Sequence, residues 1–158
     1  TRSIGQIRKY LTQDATAAII HALIASKLDG IYGLLANTTK SNIMKLQKVQ
    51  NQAARIVLRI RKKDGLHMTP FLKELHWLPV EFRIQYKICL LAFKSLTDRA
   101  PAYLTVLIKQ YIPARDLRSS KKALLKESSQ KESNKGKFGM RAFRNYAPVL
   151  WKSLPEDL

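Results

Sequence analysis

Lys45, Lys48, Gln52, Arg55 and Arg59 recur at spacings of three and four residues. On a helix they fall on one line, a mainly cationic rail. Arg61, Lys62 and Lys63 continue the charge beyond it, and Gln47, Gln50 and Asn51 occupy a neighbouring arc with donors and acceptors but no charge. This combination suits a helix laid along a nucleic-acid backbone: the cations meet phosphates, while the amides reach sugar or base edges in a groove. The competing reading is an ordinary amphipathic helix with a solvated outer face. Periodicity alone balances the two.

Other chemistry finds little footing. Metal-dependent polymerases and nucleases need converging carboxylates, and the only adjacent acidic pair is Glu156-Asp157 at the end of the chain. His21, His67 and His76 have no second ligand at metal spacing, so they read as structural histidines, His21 within an Ala/Ile face. Phosphate-loop and dinucleotide glycine patterns do not occur. Ser119-Ser120 has no nearby histidine, and Cys89, in the apolar run Ile88–Phe93, reads as a small core residue. No catalytic constellation is visible, so the chain by itself is not expected to be an enzyme.

The elements that position the rail are helical. Thr12 is the expected N-cap of a helix running to Leu28, with Leu11, Ala15, Ala18, Ile19, Ala22 and Leu23 inward and Gly30 and Gly33 breaking it. The rail helix is expected from Ser41 to Arg61, with Leu46, Val49, Ala53, Ile56 and Ile60 as its core stripe. Thr69-Pro70 opens a short helix, Val80 to Leu96 a buried central one, and Ala102 to Tyr111 another. A last helix follows Phe138, kinked or interrupted by Pro148. The fold class is therefore mainly α, an irregular bundle of about five to six helices. Residues 114–138 either pair as a short β-hairpin or stay irregular. Residues 1–65, 66–112 and 113–158 form its three segments, read as one compact unit.

With 46% hydrophobic residues the chain can build a core. No run approaches the roughly eighteen consecutive apolar residues of a bilayer span, and Thr1–Gly5 lacks a signal-peptide core. The expectation is a soluble intracellular chain, not secreted, with no membrane partner. The net charge of +18 divides as +7 in residues 1–60, +5 in 61–111 and +6 in 112–158. Basicity belongs to the whole body, and nucleic acid is the default partner.

Several stretches, in order, carry a resemblance. Leu46-Gln-Lys-Val-Gln-Asn-Gln-Ala-Ala-Arg55, Glu74-Leu-His-Trp-Leu-Pro-Val80, Arg83-Ile84 and Tyr86-Lys-Ile88 resemble the C-terminal part of reverse transcriptases from non-LTR (LINE-type) retrotransposons of the chicken-repeat and jockey-like group. Pro101-Ala-Tyr-Leu104, Leu117-Arg-Ser-Ser120, Phe138-Gly-Met-Arg-Ala-Phe143 and Ala147-Pro-Val-Leu-Trp-Lys-Ser-Leu-Pro155 extend it. The chain departs from the family pattern at Gly30-Ile-Tyr-Gly33, where many relatives read Tyr-Cys-Asn.

The resemblance implies a thumb and post-thumb region of an RNA-directed DNA polymerase. Its partners would be an RNA/DNA template–primer duplex or element RNA, together with the fingers and palm of the same polyprotein. Magnesium would belong to that palm, whose aromatic-Ala-Asp-Asp motif is absent here, so no cofactor is expected on this chain. A nuclear or shuttling location follows by the same resemblance. Two alternatives stay open: a scaffold domain packing on the palm, marked by surface Trp77, Phe82, Tyr103 or Trp151, and a decayed element fragment without activity.

Overall fold

Thr12 opens the first long helical run as its sequence position suggests. Its backbone is extended (φ −68°, ψ 167°), its Oγ1 accepts from the Ala15 N–H at 3.2 Å, and Asp14 sits in the electropositive first turn. The computed structural model describes residues 2–113, 124–127 and 139–155. It is about 70% helical, with no strand among the described residues. The helices are α1 (Arg2–Ile7), α2 (Gln13–Ile20), α3 (Ser26–Ile31), α4 (Lys40–Leu58), α5 (Thr69–Glu74), α6 (Val80–Leu96), α7 (Ala102–Thr105) and α8 (Phe143–Lys152). Contacts gather the chain into two units: residues 1–32 with 38–83, and residues 33–37 with 84–158.

α2 passes into α3 through a π-helical turn, His21–Ala25, and a 3₁₀ turn, Tyr32–Leu35, extends the run. Gly30 and Gly33 are thus carried inside the helical run. A glycine costs a helix about 1 kcal/mol against alanine, which tertiary packing readily offsets. The inward face is rotated from the expected stripe: Thr16 and Ile20 are buried, whereas Ala18, Ala22 and Leu23 are exposed. Thr16 can be internal because its hydroxyl donates to the Thr12 carbonyl at 2.7 Å. His21 is exposed too, its ring edge-on to Trp77 at 5.4 Å between centroids. By length and composition the 23-residue run Gln13–Leu35, which contains an 18-residue window of mean hydropathy 1.4, is apolar enough to cross a membrane. It is not an unbroken apolar stretch, since Lys27 and Asp29 lie within it.

Against this run lies α4. Ala53 and Val57 join Ile4 and Ile20 in one cluster, with Ile24, Ile56, Leu75 and Trp77 packed around it. Ala54 turns to a second cluster with Met68 and Leu72 of the α5 region. Paired alanines let both sides approach closely, and burying Val57 contributes about 2 kcal/mol.

α4 ends earlier than expected, at Leu58, because Arg59 adopts the left-handed conformation (φ 56°, ψ 30°) and the Ile60 N–H turns back to the Arg55 carbonyl at 3.0 Å. α5 stops the same way, with His76 at φ 55° and Trp77 N–H on the Leu72 carbonyl at 2.7 Å. In the first turn of α6, Arg83 pairs bidentately with Asp29 at 2.8 and 2.9 Å, and its guanidinium lies over the ring of buried Tyr32. Burial pushes the Tyr32 phenol up; Arg83 opposes the shift and Asp29 adds to it.

In the second unit α6 keeps its expected bounds and buries Ile84, Ile88, Ala92 and Ser95 along one face. It is not buried all round, since Tyr86 is 57% and Phe93 47% exposed. Asp98 (φ 54°) repeats the left-handed ending, with the Arg99 N–H on the Lys94 carbonyl at 2.8 Å. α7 spans only Ala102–Thr105 instead of reaching Tyr111, because Gln110 pairs with Leu125 in an antiparallel bridge. Tyr111 N–H donates to the Leu124 carbonyl at 2.7 Å and Lys126 N–H to the Lys109 carbonyl at 2.8 Å. Residues 124–127 apart, the hairpin or irregular segment expected near residues 114–138 falls almost wholly outside the described residues. α8 runs through Pro148, which is buried with Ala147 and Leu150.

Candidate nucleic-acid interface

The last turns of α4 and the N-terminal turns enclose a cleft of about 650 Å³, lined by Gly5, Arg8, Lys48, Asn51, Gln52, Arg55, Ile56, Arg59, Ile60 and Lys62. Among its lining residues there are five cations and no carboxylate. Of the residues singled out by spacing, Lys48, Gln52, Arg55, Arg59, Lys62 and Asn51 therefore meet at one place. Lys45, Arg61 and Lys63 are exposed but do not line it. Arg61 instead caps the short 3₁₀ turn Lys62–Asp64 by donating its N–H to Asp64 Oδ2 at 3.2 Å.

Arg8 was not legible as part of this site. Its guanidinium donates to the carbonyls of Ile56 (2.9 Å), Val57 (2.9 Å) and Leu11 (2.6 Å). The first two are orphan acceptors at the C-terminal, electronegative end of α4, so a cation is favoured there twice over, by hydrogen bonding and by the helix dipole. Burial, and after it the Arg59 charge, hold Arg8 below the usual guanidinium range. The only sequence signal was a basic pair, Arg8-Lys9, with nothing linking it to carbonyls 48 and 49 residues away.

Arg55 is half-buried, and its guanidinium reaches the carbonyls of Arg61 and Leu66 only at 3.4 and 3.5 Å. Such long bonds leave the charge free to meet an anion. Lys48, Gln52, Arg59 and Lys62 are exposed. Over the eleven steps from Lys48 to Arg59 a helix rises about 16 Å, the axial length of roughly five phosphates on one strand of a duplex.

The amides proposed for a groove play another part. Gln50 is 4% exposed and donates to the Leu78 carbonyl at 2.8 Å. Gln47 donates to Gln50 and Asn51 at 2.9 and 2.8 Å, and its Oε1 accepts from the Val80 N–H at 2.9 Å. Val80 is the first residue of α6, so Gln47 supplies a long-range N-terminal cap. The assignment of Gln47 and Gln50 to groove contacts is thus corrected: these amides are committed inside the fold. The core stripe shifts accordingly, with Gln50, Ala53, Ala54 and Val57 buried and Val49 37% exposed.

Among the described residues no three His, Cys, Asp or Glu side chains gather as a metal site. Burial raises the Cys89 thiol above its ordinary range. Of the aromatics that would mark a scaffold surface, Phe82 is 55% and Tyr103 70% exposed, while Trp77 and Trp151 are half-buried. No family model, curated protein or solved structure matches this chain.

Proposed function

We propose that this chain is a nucleic-acid-binding segment of a retrotransposon reverse transcriptase, from the region downstream of the palm. In this reading it holds an RNA/DNA template–primer or element RNA by its phosphates and performs no catalysis of its own. The cleft at the end of α4 carries the reading: Arg8, Lys48, Arg55, Arg59 and Lys62 converge there without a carboxylate among the lining residues. Like charges so gathered repel, and after burial, the larger cause, the Arg59 charge adds to the lowering of the Arg8 guanidinium. A polyanion relieves the repulsion, and recognition through phosphates brings affinity with little sequence choice. The order of family-like motifs supports the parentage.

The direct test is binding of a hybrid duplex and a folded RNA, followed by fluorescence anisotropy across salt. If each of the cleft's four lightly held cations, Lys48, Arg55, Arg59 and Lys62, meets one phosphate, the slope of log affinity against log salt is about −3.6 for a duplex. Between about 50 and 200 mM salt that is a loss of roughly 150-fold. Replacing Lys45, Lys48, Arg55 and Arg59 together by Gln flattens the slope; an unchanged slope removes α4 from the binding surface. Parentage is tested by the genomic frame upstream. An in-phase aromatic-Ala-Asp-Asp motif is the expected finding, and an intact gene without one overturns it.

Exposed Tyr86 and Phe93, seven residues apart on α6, favour a second reading as a protein-interaction domain. That partner would bind with little dependence on salt.

A further inference from the structure

We infer that the cleft at the end of α4 receives an unpaired strand, with a base laid on Ile56 and Ile60 while the flanking phosphates meet the surrounding cations. The inference rests on the nucleic-acid reading above and narrows it to one form of the ligand.

The composition of the cleft points this way. A wall that met only a duplex backbone would need charge and polar donors and no more, since a duplex presents phosphates and sugars outward and keeps its base faces stacked. Here the lining that carries the cations also includes two half-buried isoleucines. Gly5 lies beside Ile56, where an added Cβ would make an ordinary contact with Ile56 Cδ1 at 3.9 Å. Base faces become available to side chains when a strand is unpaired, which is how single strands are commonly seated.

Size agrees with composition. About 650 Å³ lies within the range of roughly 300–1,000 Å³ that encloses a small ligand. It suits a short piece of one strand better than the girth of a duplex. Asn51 adds a directional element: its Oδ1 is held by the Gln47 amide, which orients the side chain and leaves its NH₂ to donate to a base or sugar acceptor.

Electrostatics alone predicts the opposite preference, because a duplex carries the denser phosphate charge and releases more counterions per contact. Selection of the single strand therefore reports the apolar part of the lining and not its charge.

The experiment compares three probes on the intact chain at one salt concentration: an unstructured oligouridylate of about twelve nucleotides, a blunt hairpin with the same number of phosphates, and an abasic strand of the same length. The oligouridylate is expected to bind about tenfold more tightly than the hairpin, and the abasic strand about fivefold more weakly than the oligouridylate. Lys48→Gln with Lys62→Gln, both at exposed positions, weakens all three probes if the cleft is the site. Equal or tighter hairpin binding with the same dependence on Lys48 and Lys62 overturns the unpaired-strand inference and leaves the phosphate-holding reading standing. An abasic strand that binds as well as the oligouridylate overturns it as well. Binding of none of the probes overturns both.

Discussion

Arg59 couples a backbone conformation to a charge, and two substitutions separate them. Arg59→Gly and Arg59→Ala both delete the guanidinium from the cleft and the repulsion it exerts on Arg8. They differ by one Cβ, on a residue at φ 56° and ψ 30°. A side chain in that region costs about 1–2 kcal/mol, which glycine avoids. Glycine gives back about 0.5–1 kcal/mol through the greater freedom of its unfolded chain. The glycine variant should therefore be the more stable of the two by roughly 0.5–1 kcal/mol, and melt about 2–3 °C higher in a domain of this length. Urea denaturation and thermal melting measure this difference. Binding should behave oppositely, since both variants lose the same phosphate contact: each lowers the salt slope by about 0.7 on a single strand, to the same extent. An alanine variant as stable as the glycine variant would refute the left-handed ending of α4. Unequal salt slopes would show that the backbone, and not the charge, sets affinity.

Three other outcomes follow from the same geometry. Gln47→Ala removes the acceptor of the Val80 N–H and should lower stability by about 1 kcal/mol in urea titration. Arg8→Met strips a charged donor from the carbonyls of Ile56 and Val57 and should cost about 2–3 kcal/mol, with faster hydrogen exchange at the amides of Arg59 and Ile60 as the local readout. The Tyr32 phenol is raised in the folded state, so the folded chain holds that proton longer; its contribution to stability is intact below about pH 10 and is lost as pH rises through the folded value. Urea midpoints across that interval measure the decline.

Much of the helical layout was legible because local chemistry declares it. Pro79 ahead of Val80 and the polar Asp98-Arg99 with Pro101 bracket α6, and the Thr12 hydroxyl marks the start of α2. Helix ends were less legible where a left-handed residue is not glycine. Arg59 and His76 close α4 and α5 as glycine commonly does, yet neither side chain announces that conformation. Alanines misled the facing of α2, because Ala18 and Ala22 face out while Ala53 and Ala54 face in, and a methyl group states no strong preference. The amides misled most. Gln47 and Gln50 read as solvent-facing polar residues, but their partners, Val80 and Leu78, lie 33 and 28 residues away, beyond what periodicity detects. For the cations, spacing located the α4 members of the cleft. Arg8 entered through tertiary packing alone.

The π-helical turn between α2 and α3 bears on chain length. Across it the Ser26 N–H reaches back five residues to the His21 carbonyl, so the segment holds one residue more than α geometry would need over the same span. Deleting a single residue there lets the bonds revert to the ordinary four-residue reach while Ile20 stays on its cluster and Asp29 stays opposite Arg83. The same deletion in the middle of α4 would rotate every later side chain by about 100° and scatter the cleft. Among homologous copies of this sequence, a one-residue gap should therefore be tolerated at His21–Ala25 and be rare between Lys40 and Leu58.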